Sequence, residues 1–198
     1  MPKNSKVKFE FDPVTHVYKA NGNIVPSVTG ILSAEGYISS WGASEADRIR
    51  GRYIHRICEL SDLNDLDMDS VDPVLLPRLE AWIEAKKALG ITTFDAIELK
   101  MFSRKWGFAG TLDRVYRDLL VDLKSGVRQP GFSLQTGGYK LLYEENHTAT
   151  ISQRASVYLT ADGYFSVDWH KEKTDDFMFL CALKGYNWKK LKGVSSCR

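Results

Sequence analysis

The chain has 198 residues, 43% hydrophobic and 26% charged, and its 27 basic and 25 acidic side chains leave a formal net charge of +2. That balance excludes a disordered or collagen-like chain and fits a single domain large enough to bury a core. No apolar run approaches the ~20 residues of a membrane span; the first residues lack the apolar stretch of a secretory signal; and three cysteines (Cys58, Cys181, Cys197) without CxxC spacing argue for a reducing, cytoplasmic setting with no membrane partner.

Residues 9–28 alternate apolar and polar side chains around Asn21-Gly22-Asn23, which predicts a hairpin. Ser27 or Thr29 can cap a short helix through Leu32. Ser44 opens a longer helix, Glu45 to about Leu60, with acidic residues in its first turn as the helix dipole favours. Residues 60–77 hold five Asp and no Lys or Arg, and read as a solvated loop ending at Pro73. Its Asp65-x-Asp67-x-Asp69 run mimics a calcium loop, but Ser70 and Leu76 stand where Gly and Glu are required. A second helix follows through Leu89, stopped by Gly90.

The period then changes from 3.6 to 2. Residues 94–102, 107–117 and 119–126 read as three strands of an antiparallel meander. A helix from about Phe132 to Glu144 comes next, then a hairpin of residues 152–163 and 164–171 around Asp162-Gly163. A helix from Asp175 to about Leu191 closes the chain. The order predicts one mixed α/β (α+β) domain over 1–198, with a central mixed sheet flanked by helices. Residues 1–43 are a hairpin and lead-in, 44–145 hold two helices, the meander and its helix, and 146–198 hold the last hairpin and helix.

The meander carries the chemistry. Asp122 and Lys124, two apart on a strand, share one face, and a turn near Arg117-Asp118 returns Asp113 alongside. Two carboxylates with a lysine suit a hard divalent cation that polarises a phosphodiester, while the lysine orients or deprotonates an attacking water and offsets charge on phosphate. The same spacing also suits a solvated strand face with a weak ion pair. The apolar flanks Leu119, Leu120, Val121 and Leu123 point instead to a central, buried strand, where polar groups need partners.

Gly110-x-x-Asp113, Asp122-x-Lys124 and Gln135-x-x-x-Tyr139, preceded by Gly51-x-x-x-His55, resemble the ordered motifs of the PD-(D/E)XK nuclease superfamily, most closely its RecB-type and phage-exonuclease branch, over about residues 25–160. The resemblance implies a restriction-endonuclease-like core. It implies that His55, Asp113, Asp122 and the Leu123 carbonyl bind Mg2+ or Mn2+, that Lys124 is the catalytic lysine, and that Gln135 and Tyr139, on one helix face, place Lys124 or the phosphate. Glu98 stands where the superfamily often has an acid, although IELK also reads as surface alternation. Some relatives hold a four-cysteine iron–sulfur cluster; three cysteines cannot, so no such cluster is expected. No Walker loop is present.

On the substrate side, Arg48, Arg52 and Arg56 recur every four residues as a ridge beside His55, suited to phosphate or simply to solubility. Arg104, Lys105, Arg114, Arg128 and Lys140 add basic character near the strands. Tyr37, Trp41 and Trp106 are candidates for base stacking. Ser27 and Thr29 are DNA-contact candidates by the resemblance and helix-cap candidates by local chemistry. His147 reads as structural. The expected function is a metal-dependent DNA exonuclease of phage or prophage recombination type, acting on single- or double-stranded ends, with a homo-oligomer or a recombination protein as a further partner. The alternatives are an endonuclease of the same superfamily and a catalytically weak DNA-binding accessory domain.

Overall fold

Alternation and turn chemistry produce three short antiparallel strands at the N-terminus, β1 (Phe9–Asp12), β2 (Val17–Ala20) and β3 (Asn23–Val25). The expected turn lies between β2 and β3, where Asn21 and Gly22 take the positive φ values of 50° and 79° that such a tight turn needs. The expectation was short by one strand: β1 joins β2 through residues 13–16, Pro-Val-Thr-His, a second turn without the Asn-Gly signal of the first. The structure, a computed structural model, describes residues 7–39 and 44–194. Trp41 and Cys197, singled out above, lie outside the described residues.

Ser27 caps α1 (Val28–Ala34), its hydroxyl accepting from the Gly30 N–H at 3.0 Å. Ser44 and Asp47 form a reciprocal capping box at the start of α2 (Glu45–Asp62), a device that typically contributes about 1 kcal/mol. Two 3-10 turns, Met68–Ser70 and Pro73–Leu75, lead into α3 (Leu76–Ala88). The acidic stretch is therefore only partly loop. Asp62 ends α2 with its side chain fully buried, whereas Asp67 and Asp72 cap the two turns.

The meander is as expected: β4 (Ala96–Ser103), β5 (Phe108–Tyr116) and β6 (Leu119–Lys124) are antiparallel neighbours. After α4 (Gly131–Asn146), β7 (Gln153–Leu159) returns parallel to β6, and β8 (Phe165–Trp169) pairs antiparallel with it. The sheet order is thus β4-β5-β6-β7-β8, mixed, with α5 (Asp175–Lys192) last. Two apolar clusters sandwich it. Ile54, Leu79 and Trp82 of α2 and α3 pack with Leu119, Val121, Leu123 and Val157. Val28, Leu142 and Phe179 of α1, α4 and α5 pack with Phe108, Leu112 and Leu120. No helix among the described residues is long and apolar enough to cross a membrane.

Candidate metal centre and cleft

The site begins where two strands part. The β5–β6 ladder stops at Arg114↔Val121. One residue further, the Asp113 carboxylate takes the place of a ladder acceptor, and the Leu123 N–H donates to its Oδ2 at 2.7 Å. In an extended strand a residue's N–H and C=O point to one edge, so the Leu123 carbonyl faces the same gap. On the other side of Asp113, β4 keeps register through Ile97↔Arg114 and Leu99↔Leu112, but Glu98 between them is turned into the left-handed region, φ 46°. That conformation costs a non-glycine residue about 1–3 kcal/mol and is held only where surrounding structure fixes it. Here it accompanies delivery of a carboxylate to the gap.

His55, from the middle of α2, completes the cluster. One ligand atom each from His55, Glu98 and Asp113 lies within 4.8 Å of the others. His55 Nδ1 is 3.6 Å from Asp113 Oδ2 and 3.7 Å from Glu98 Oε1, too long for hydrogen bonds and short enough for a shared ion. One imidazole and two carboxylates, with a third carboxylate nearby in Asp122, form a donor set that fits Mg2+ or Mn2+. Glu98, ranked second from sequence, belongs to the tight cluster. Asp122 stands beside it, its Oδ2 2.6 Å from Lys124 Nζ.

Lys124 is held on two sides. Besides Asp122 it donates to Gln135 Oε1 at 2.9 Å, and its ammonium lies 4.3 Å from the Phe132 ring centroid. The Gln135 amide nitrogen in turn donates to Tyr139 Oη (3.0 Å) and Thr29 Oγ1 (3.1 Å). Tyr139 lies over Gly110, where any Cβ would stand 3.0 Å from its ring, so the glycine of Gly-x-x-Asp makes room for the tyrosine. Gln135 and Tyr139, four apart on α4, therefore act on Lys124 as a positioning pair. Thr29 supports Gln135, a use that neither the cap nor the DNA-contact reading foresaw; Ser27 is the cap.

Beneath the acids lies a buried cation. Arg114 is fully buried; its Nε donates to Asp62 (2.7 Å) and one terminal nitrogen donates to Glu98 (2.9 Å). Asp62 also accepts from Lys86 Nζ at 2.6 Å and Trp82 Nε1 at 2.9 Å. Arg114 is therefore a structural counter-ion, which corrects its reading among the basic residues of the substrate side.

Burial pushes the Asp113 and Asp122 carboxyls above the usual range, with Asp113 opposed chiefly by His55 and Asp122 by Lys124. Burial also disfavours charged His55, but Asp113 and Glu98 outweigh it and raise its pKa. Glu98 is likewise opposed by burial, yet His55 and Arg114 hold its carboxyl low. Groups with raised folded pKa stabilise the metal-free fold below their unfolded values and lose that contribution as pH rises through the folded ones. A cation competes with those protons, so its stabilisation grows with pH. We expect Mn2+ at a hundred times its Kd at pH 7 to add about 2.7 kcal/mol, or roughly 5–10 °C in Tm for a chain of this size, and the same Mn2+ concentration to add more at pH 8 than at pH 6. Asp113→Asn should remove the shift. Calorimetric scans with Mn2+ or EDTA check this.

The cleft over these groups has a volume of about 550 Å³ and is also lined by Arg52, Arg56, Phe11, Pro13 and His16. The arginine ridge is divided. Arg52 and Arg56 reach the cleft, whereas Arg48 lines a separate depression with Arg50 and Arg78. Each ridge residue also has an acid partner on its own helix: Arg48 and Arg52 meet Glu45, and Arg56 meets Glu59. Acids one turn away, outside the 48–56 interval, were the overlooked signal. Lys140 pairs with Asp176 at 3.3 Å, Arg128 bonds Ser166 and Asp168, and Arg104 lines a depression beside Phe9 and Phe102, so none of them joins the cleft. Trp106 packs against the core under Lys105, His147 stacks on Tyr143, and Tyr37 is exposed and does not line the cleft. Burial pushes the Cys58 thiol up to about 12, which rules it out as a nucleophile.

Sequence reading missed Ser156, buried on β7 opposite Asp122 and 2.9 Å from His170 Nε2. It also missed Phe11 of β1 and His16 of the β1–β2 connection; nothing in the alternation of these residues tied them to the acids. The chain matches no known protein-family model and no characterised protein sequence.

Proposed function

We propose that the protein is a metal-dependent deoxyribonuclease that hydrolyses phosphodiester bonds at DNA ends, with a restriction-endonuclease-like core of the PD-(D/E)XK kind. The observation that carries this reading is the parting of β5 and β6 at Asp113 and Asp122, which gathers Glu98, His55 and the Lys124 ammonium around one gap. A Mg2+ or Mn2+ ion held by His55, Glu98, Asp113 and the Leu123 carbonyl, with Asp122 beside them, would polarise the phosphodiester and acidify a bound water. Lys124, with two N–H groups committed to Asp122 and Gln135, has its third to orient the attacking water and to meet charge developing on phosphate. Arg52 and Arg56 on the rim steer the strand, weakly because both face acids. Cytoplasmic action on phage or prophage recombination intermediates suits such an enzyme.

Digestion of 5′- and 3′-labelled linear DNA and of closed circular DNA, with Mn2+ or EDTA, tests the reading. Mn2+-dependent release of nucleotides from linear DNA alone is the expected result. Cutting of circles would make it an endonuclease. Binding of DNA without turnover in any metal would leave the accessory-domain reading.

A further inference from the structure

The cleft has a wall with no part in phosphate chemistry. It is built by the β1–β2 connection, which is tied by its own bonds: Asp12 accepts from the Val14 N–H at 2.9 Å and from the Thr15 hydroxyl at 2.6 Å. Beyond this tied turn His16 adopts φ 55°, a conformation rare outside glycine and tolerated by only a few side chains, histidine among them. It sets the imidazole edge-on to Phe11, with centroids 5.0 Å apart at 88°. Phe11 backs onto Tyr18 at 4.8 Å, and Lys100 Nζ lies 5.5 Å from the Phe11 centroid. The hairpin therefore presents a prearranged aromatic surface to the same cleft as the acids, with His16 exposed and Phe11 only half-buried.

The cleft's size and charge say what this wall can hold. At about 550 Å³ it is in the range that takes a drug-sized ligand, hence about one or two nucleotides. Its arginines are balanced by Glu45 and Glu59, so phosphate attraction alone gives little grip. Flat aromatic faces grip any base, whatever the sequence.

We propose that Phe11 and His16 form a corner for the nucleobase of a single-stranded end, one ring against its face and the other against its edge, with its phosphate over His55, Glu98 and Asp113; this rests on the nuclease reading above and names the form of DNA it takes. A duplex is then a substrate only after its terminal base unpairs.

The test uses oligonucleotides with 2-aminopurine or an abasic residue at the end, and the wild type, Phe11→Leu and His16→Asn. Leucine keeps the apolar contact with Tyr18, and asparagine accepts the same backbone conformation, so calorimetry should find both variants folded. With Ca2+ present, wild-type protein should change the 2-aminopurine fluorescence on binding, and each variant should bind roughly five- to a hundred-fold more weakly. With Mn2+, the wild type should cleave base-bearing ends faster than abasic ones, and the variants should lose that preference. A duplex with a cross-linked terminal pair should resist cleavage. Wild-type-like binding and preference in both folded variants, or ready cleavage of the cross-linked end, overturns the stacking wall while leaving the nuclease reading intact. A wild type that neither binds nor cleaves any strand overturns both.

Discussion

Lys124→Ala is expected to lower DNA cleavage by about 10²- to 10⁴-fold, the range for removing a group that handles the proton or charge of the transition state. Metal binding should survive, because His55, Glu98 and Asp113 are untouched. The distinction follows from geometry. Lys124 Nζ contacts Asp122 and Gln135 but is not one of the clustered ligand groups, so its loss strips the reaction of a donor without opening the cation site. Gln135→Ala should give a smaller loss in the same direction, since it frees the ammonium from one of its two polar anchors. Single-turnover rates, with Mn2+ binding measured in parallel, check both. Activity of Lys124→Ala within tenfold of wild type would remove the lysine from the chemistry.

The largest effect on stability is expected at Arg114→Met. The methionine fills much of the space but leaves Asp62 and Glu98 without a guanidinium that they share across α2 and β4. Breaking a buried pair from one side typically costs about 3–5 kcal/mol, because the surviving charge stays buried. For a chain of this size that is a fall of roughly 6–20 °C in Tm. Lys86 and Trp82 still bond Asp62, which places the expectation toward the lower end. Glu98 should also titrate higher once Arg114 is gone, so Mn2+ should bind less tightly at pH 6 than it does to the wild type, with the deficit shrinking toward pH 8. Calorimetry and metal titration at the two pH values measure these effects. A Tm within about 3 °C of wild type would show that the network contributes little.

The two substitutions mark the boundary of what was legible in the sequence. The place of Lys124 beside Asp122 could be found because it is decided locally: Asp122-x-Lys124 shares a strand face by the period of two, and the apolar flanks reveal burial. Ser44 as a helix start, Gly90 as a helix stop and the Asn21-Gly22 turn were readable for the same reason, since each is decided within four residues. Arg114 was misread because its environment is assembled from α2, α3 and β4, and no local pattern distinguishes a buried arginine from an exposed one on a strand. Asp62 was misplaced in a loop for a related reason. Its acidic neighbours Asp65 to Asp72 set the local composition, while Trp82 and Lys86, twenty or more residues away, decide its fate.

Glu98 shows a third kind of limit. Its place in IELK suggests alternation, and only the register with β5 and its left-handed backbone reveal that it turns toward His55. The parallel pairing of β6 with β7 is also global. A helix of the length of α4 permits a crossover, but only packing against the sheet selects it.

Everything proposed about function depends on one cation-dependent reaction at His55, Glu98 and Asp113. End-labelled single-stranded DNA incubated with wild-type protein and with Asp113→Asn, each in Mn2+ and in EDTA, tests it most directly. The expected result is release of labelled nucleotides by the wild type in Mn2+ and in no other combination. No release by the wild type in Mn2+, or equal release by Asp113→Asn, would contradict it.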